Sequence, residues 1–132
     1  MTHTVYRWED DDGNGPWRSR KRDRMPDVLV DHLQSLDDLP GPFRYGEPLY
    51  NRSCLSFALR RFKCGCSSLE QLSLWFPTSI VGELITYGFK LVKYTLSDVL
   101  PGNTQVCWLP SMIVSKGPTG YNVEDLKRIS TI

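Results

Sequence analysis

Apolar and polar positions change places in short runs along this chain, and those runs predict its elements. Over Thr4–Trp8, Val5 and Arg7 alternate with Tyr6 and Trp8, and Thr, Val, Tyr and Trp suit a pleated surface; the pattern predicts a short strand. It breaks at Glu9-Asp10-Asp11-Asp12-Gly13-Asn14-Gly15-Pro16, where Gly, Asn and Pro supply turn chemistry and the acidic run predicts a solvated turn. From Pro26 onward, Val28, Leu29, His32, Leu33 and Leu36 recur at helical spacing. Proline is tolerated in that first turn because its missing N–H has no helical partner there. Residues 37–52, rich in Pro and Gly, read as a long surface loop of a length that often carries function. The apolar segment Cys54–Phe62 fits a strand or a short helix equally well by period.

Ser67-Ser68-Leu69-Glu70 places Ser67 and Glu70 three apart, a capping box opening a helix through Leu69, Leu72, Trp75 and Phe76. Pro77 stops that helix and Thr78 or Ser79 starts another. Its buried face is Ile80, Val81, Leu84 and Ile85, and Gly88 is its C-terminal cap. Phe89–Leu96, with Lys90 and Lys93, predicts a strand, Pro101-Gly102-Asn103 a turn, and Gln105–Leu109 another strand. Asn122 caps a last short helix through Val123, Leu126 and Ile129. The sum is a single small α+β domain over residues 1–132, with a mixed or antiparallel sheet and three to four short helices.

Charge changes this picture more than composition does. The chain has 132 residues with 16 Lys+Arg against 15 Asp+Glu, a net +1. That excludes a generic polyanion binder, though not a local basic patch. The charges come in blocks: residues 9–12 are all acidic, residues 18–24 are mainly basic, and residues 27–38 carry four Asp and no Lys or Arg. Such blocks point to a partner recognised by local charge. No apolar run approaches the roughly 20 residues of a membrane helix, and no secretory signal opens the chain. An intracellular protein without membrane contact is expected.

The catalytic and metal motifs do not complete. Cys64-Gly65-Cys66 is too tight for the usual zinc spacing and has no His near it. With no secretory context, the four cysteines Cys54, Cys64, Cys66 and Cys107 read as reduced thiols, some of them buried. Both histidines, His3 and His32, lie upstream of Cys54, and no Cys–His motif stands behind that pair. Asp27, Asp31 and His32 fall within about a turn of one another; they read as helix-surface charges beside a satisfied core or partner-facing histidine. The acidic run fails the calcium-loop pattern. The chain has no phosphate-binding loop, dinucleotide fingerprint or nucleophile elbow. Neither metal nor cofactor is expected on this reading.

The most specific stretch runs Cys64-Gly65-Cys66-Ser67-Ser68-Leu69-Glu70-Gln71-Leu72, then Trp75-Phe76, Gly88-Phe89-Lys90-Leu91-Val92-Lys93-Tyr94 and Gln105-Val106. With Tyr6-Arg7 and Gly13-Asn14-Gly15-Pro16, it resembles a family of small uncharacterised phage and bacterial proteins. That resemblance implies a host-directed role in the host cytoplasm, such as blocking a bacterial defence system in the manner of an anti-CRISPR. Val5-Tyr6-Arg7 also resembles the first strand of the R-S-E class of ADP-ribosyltransferases. In that class an Arg orients NAD, because its planar fork matches a pyrophosphate. The resemblance implies catalytic roles for Arg7, Ser56 in Ser56-Phe57-Ala58, and Gln105. Gln105 stands where a Glu would be expected, and it cannot stabilise positive charge as a carboxylate does.

The leading expectation is therefore a phage-type inhibitor that occludes a bacterial protein or nucleoprotein complex, with Trp17, Arg18, Phe43, Arg44 and Tyr45 as partner-binding anchors. The alternatives are an NAD-using, catalytically degenerate transferase, and a nucleic-acid binder using the basic segment 18–24. Whether the chain is an enzyme stays open at this point.

Overall fold

The strand expected at Thr4–Trp8 forms and extends by one residue at each end: β1 spans His3–Glu9. The architecture comes from a computed structural model, which describes residues 1–16, 19, 24–34, 63–102, 104–122, 124, 125 and 128. In chain order, β1 is followed by α1 (Asp27–Gln34), β2 (Lys63–Gly65), α2 (Leu69–Trp75), α3 (Thr78–Thr86), β3 (Lys90–Leu96), β4 (Leu100–Pro101), β5 (Val106–Trp108), a 3-10 turn at Pro110–Met112, and β6 (Ile113–Pro118). This is an α+β fold with two small antiparallel sheets, ordered β1-β3-β6 and β2-β5-β4. Among the described residues, no helix is long and apolar enough to cross a membrane.

Strand alternation makes the first sheet the wall between two cores. Tyr6, Trp8 and Leu91 turn toward the helices and pack with Leu29 and Leu33 of α1, Leu72 and Trp75 of α2, and Ile80, Val81 and Leu84 of α3. The opposite face carries Val5, Val92, Tyr94 and Leu96, and Trp108 from the second sheet packs on it. The Trp108 and Tyr94 rings lie 5.0 Å apart and tilted. Trp108 is fully buried and its indole N–H has no acceptor among the described residues. An unmade bond of that kind costs about 1–3 kcal/mol, so the ring's role there is to fill space. The two sheets join where Tyr6 and Cys66 exchange both backbone bonds, at 2.8 and 2.9 Å.

Local sequence explains most element ends. The helix cap falls one residue later than expected: Ser68, not Ser67, accepts the Gln71 amide. The Gln71 side chain reaches back to the Ser67 amide, the task assigned to Glu70. The switch follows chain geometry, since Gln71 is three residues after the true cap. At the other end of the helical hairpin, Gly88 adopts φ +85. There Gly88 donates to Ile85 and Phe89 to Leu84, which satisfies the last carbonyls of α3 in the double-bonded glycine stop. His32 sits on the buried side of α1, with Nε2 2.6 Å from the Trp75 carbonyl and its ring against Phe76. It ties α1 to the end of α2 as a satisfied histidine.

Two readings need correction. The acidic run is not a solvated turn throughout, because Glu9 and Asp10 are buried and only Asp11 and Asp12 are exposed. Asp10 acts as the hub of the turn, accepting from the Asp12 and Asn14 amides and from the Ser19 hydroxyl. A short polar side chain that bonds the following amides is the mechanism of an Asx turn, and it uses the carboxylate inside the fold. Strand β6 went unforeseen, because Ser, Lys, Gly and Pro dilute its apolar signal. Leu36, residues 37–52, Cys54–Phe62, Val123, Leu126 and Ile129 lie outside the described residues. Near that end, Asn122 does accept the Asp125 amide, at 2.8 Å.

Gly65 sits at a close contact between the sheets. A Cβ there would lie 2.5 Å from the Tyr6 carbonyl oxygen and 2.9 Å from the Trp108 ring. Neither backbone nor buried indole can retreat cheaply. Gly65→Ala is expected to destabilise the protein by about 2 kcal/mol, read as a lower midpoint in chemical denaturation; an unchanged midpoint would show that the sheets are not in close contact here.

Candidate functional site

Alternation along β1 puts Arg7 and Glu9 on the same face, the one shared with Tyr94. The β3–β6 register sets Lys116 directly opposite Tyr94, and β2 brings in Lys63. Four strands from both sheets therefore deliver side chains to one carboxylate. Glu9 Oε2 accepts from Arg7 Nε at 2.7 Å, Lys63 Nζ at 3.2 Å and the Tyr94 hydroxyl at 2.5 Å. Its Oε1 pairs with Lys116 Nζ at 2.7 Å. Both ammonium groups also lie near the Tyr94 ring, at 5.7 and 5.4 Å from its centroid, a cation–π arrangement.

The second set of bonds fixes the cations. Arg7 gives one terminal nitrogen to the Cys64 carbonyl at 2.9 Å and the other to the Gly13 carbonyl at 3.3 Å. Lys63 donates to Gly13 and to the Tyr94 hydroxyl, each at 3.2 Å, besides Glu9. The cluster thus holds the turn after β1 as well as the two sheets. Exposure rises outward: the Glu9 side chain is 2% accessible, Arg7 13%, Lys63 32% and Lys116 42%. Among the described residues of the cluster, three cations face one carboxylate, an excess of two positive charges.

Protonation follows from this geometry. Burial opposes the charged form of Glu9, but the bonds from Lys116 and Tyr94 and the charges of Arg7 and Lys63 outweigh it and hold its carboxyl below the ordinary value. Burial is the main reason the Lys63 ammonium titrates below its usual range; Glu9 works against that effect, while Arg7 and Lys116 add to it. Burial also pushes the Tyr94 phenol up, and so does its bond to Glu9, so it stays a donor. The arrangement is an electropositive rim around one buried carboxylate.

The expected site residues divide accordingly. Arg7 is at the heart of the cluster, with its guanidinium bonds directed to Glu9, Cys64 and Gly13. Gln105 lies immediately before β5, where its backbone carbonyl accepts the Gly102 amide and closes the turn. Ser56, Trp17, Arg18, Phe43, Arg44 and Tyr45 lie outside the described residues. Among the described residues, no three His, Cys, Asp or Glu side chains gather as a metal-binding group. Sequence reasoning missed Glu9, Lys63, Tyr94 and Lys116. The one available signal was Glu9 two residues after Arg7 on the same strand face.

Removing the central charge isolates its role. Glu9→Gln leaves three cations without their counter-charge and should cost about 3 kcal/mol, the low end for a buried pair because Lys63 and Lys116 keep water. Because the folded carboxyl titrates below its ordinary value of 4.5, its contribution is complete above that pH and drains away as pH falls through the folded value. Denaturation midpoints of the wild type should therefore drop on acidification below about pH 4.5, and those of Glu9→Gln should drop much less. Parallel pH profiles for the two proteins would contradict this.

A family model described as Bacteriophage T4 Y00F protein matches residues 1–116 of the chain. No curated protein and no solved structure matches it.

Proposed function

Because the chain belongs to the Bacteriophage T4 Y00F protein family, we propose that this phage protein binds and blocks a component of its bacterial host, a defence protein or nucleoprotein complex, and uses the cationic rim over Glu9 for recognition. The observation that supports this reading is the excess of two positive charges around Glu9, ending in the partly exposed Lys63 and Lys116. Charges fixed on strands hold their direction without losing entropy on binding. They steer an acidic partner toward the surface and reject a basic one.

Arg7 favours binding over NAD chemistry. To orient a pyrophosphate, its guanidinium would have to leave a carboxylate and two backbone carbonyls that it already serves. Abandoning buried acceptors costs more than a surface contact returns. These bonds weigh against the transferase reading at Arg7.

The test is retention of a host protein on the immobilised chain, run beside Lys116→Glu, which reverses the most exposed charge of the rim. The expected result is one stoichiometric bacterial protein, held by the wild type in the presence of nuclease and weakened roughly tenfold or more by the substitution. Higher salt should weaken it further. Expression of the wild type should also raise phage plating on a host with an active defence system, and Lys116→Glu should not. Retention that vanishes with nuclease would make nucleic acid the partner. The absence of any stoichiometric protein at micromolar concentration would overturn the proposal.

A further inference from the structure

Cys64 and Cys107 are directly opposed in the β2–β5 pairing, and their sulfurs lie 2.8 Å apart. Opposed residues in antiparallel strands have Cβ atoms close enough for their side chains to interact without moving the backbone. Both sulfurs are reduced. Closing a disulfide would shorten the sulfur separation by about 0.8 Å, a side-chain adjustment. We propose that Cys64 and Cys107 form a reversible redox pair, oxidised by a small-molecule disulfide of the glutathione type. This inference is independent of the host-binding reading.

The two thiols differ in access, which sets the order of events. Cys64 is half-buried, and Cys107 is fully buried. The contact with Cys64 and burial hold the Cys107 thiol protonated, well above its ordinary range. Cys64 is therefore the entry point. Its thiolate attacks one sulfur of the small disulfide, breaks that S–S bond and releases one small thiol. Cys107 then attacks the Cys64 sulfur, breaking the mixed disulfide, and its proton passes to the departing sulfur, which leaves as the second small thiol. Two protein thiols lose two electrons and two protons, and one small disulfide becomes two thiols. Among the described residues, Cys66 is the competing thiol, but it is buried in the helix-side core, and burial pushes its pKa up to about 12.

The bond would tie β2 to β5 beside the charge cluster, since the Cys64 carbonyl already accepts from Arg7. It would close a loop of 42 intervening residues, and closing a long loop stabilises the folded chain. In a reducing cytosol the pair stays open, and an oxidising shift would close it.

The test equilibrates the folded full-length protein with graded ratios of oxidised to reduced glutathione. The expected product has lost two hydrogens and carries no adduct. Its non-reducing digest should link the Cys64 peptide to the Cys107 peptide, and its Tm should rise by about 5 °C or more, reversibly with reductant. Cys107→Ala should instead accumulate a glutathione adduct on Cys64. A persistent adduct on wild-type Cys64, a cross-link mapped to Cys54 or Cys66, or no oxidation at an excess of oxidised glutathione would each overturn the proposal.

Discussion

A carboxylate with 2% of its surface exposed has to be neutralised where it stands, and Glu9 meets that demand with donors from four strands. Desolvating an ion costs several kcal/mol unless its geometry is complete. Both oxygens are occupied here, and the donors come from β1 itself, from β3 and β6 in the same sheet, and from β2 in the other. Shifting any of these strands would break a charged contact. The Glu9 cluster therefore specifies how the two sheets sit on each other, where the apolar contacts of Trp108 with Tyr94 alone would tolerate sliding.

The same demand shapes the surface. One carboxylate is enough to hold Arg7, Lys63 and Lys116 together, and it cannot neutralise all three. The excess sits on Lys63 and Lys116, whose side chains are partly exposed. Arg7 and Tyr94 lie at the inner end of the cluster, and Lys116 is its most exposed cation.

The fold was more legible in the sequence than the site. Helical spacing of Leu72 with Trp75 and of Ile80 with Leu84, the break at Pro77 and the stop at Gly88 all carry local physical causes, and those elements form close to their expected limits. Cap choice between Ser67 and Ser68 turned on which side chain the first helical turn presents, a difference of one residue that spacing cannot decide. The site escaped because its members are 9, 63, 94 and 116 in the chain. Only the β1–β3 and β3–β6 registers and the meeting of the two sheets bring them together. The acidic run looked solvated because charge is usually solvated. Asp10 and Glu9 are inside because the turn amides and the lysines across the sheet neutralise them.

The most direct test of this account is a double-mutant cycle between Glu9 and Lys63, residues on different sheets, using Glu9→Gln, Lys63→Met and the double substitution in chemical denaturation. The account predicts a coupling energy of about 1–3 kcal/mol, with the double variant losing less stability than the two single losses added together. Simple additivity would show that Glu9 and Lys63 do not couple the two sheets and would contradict the central role given to Glu9.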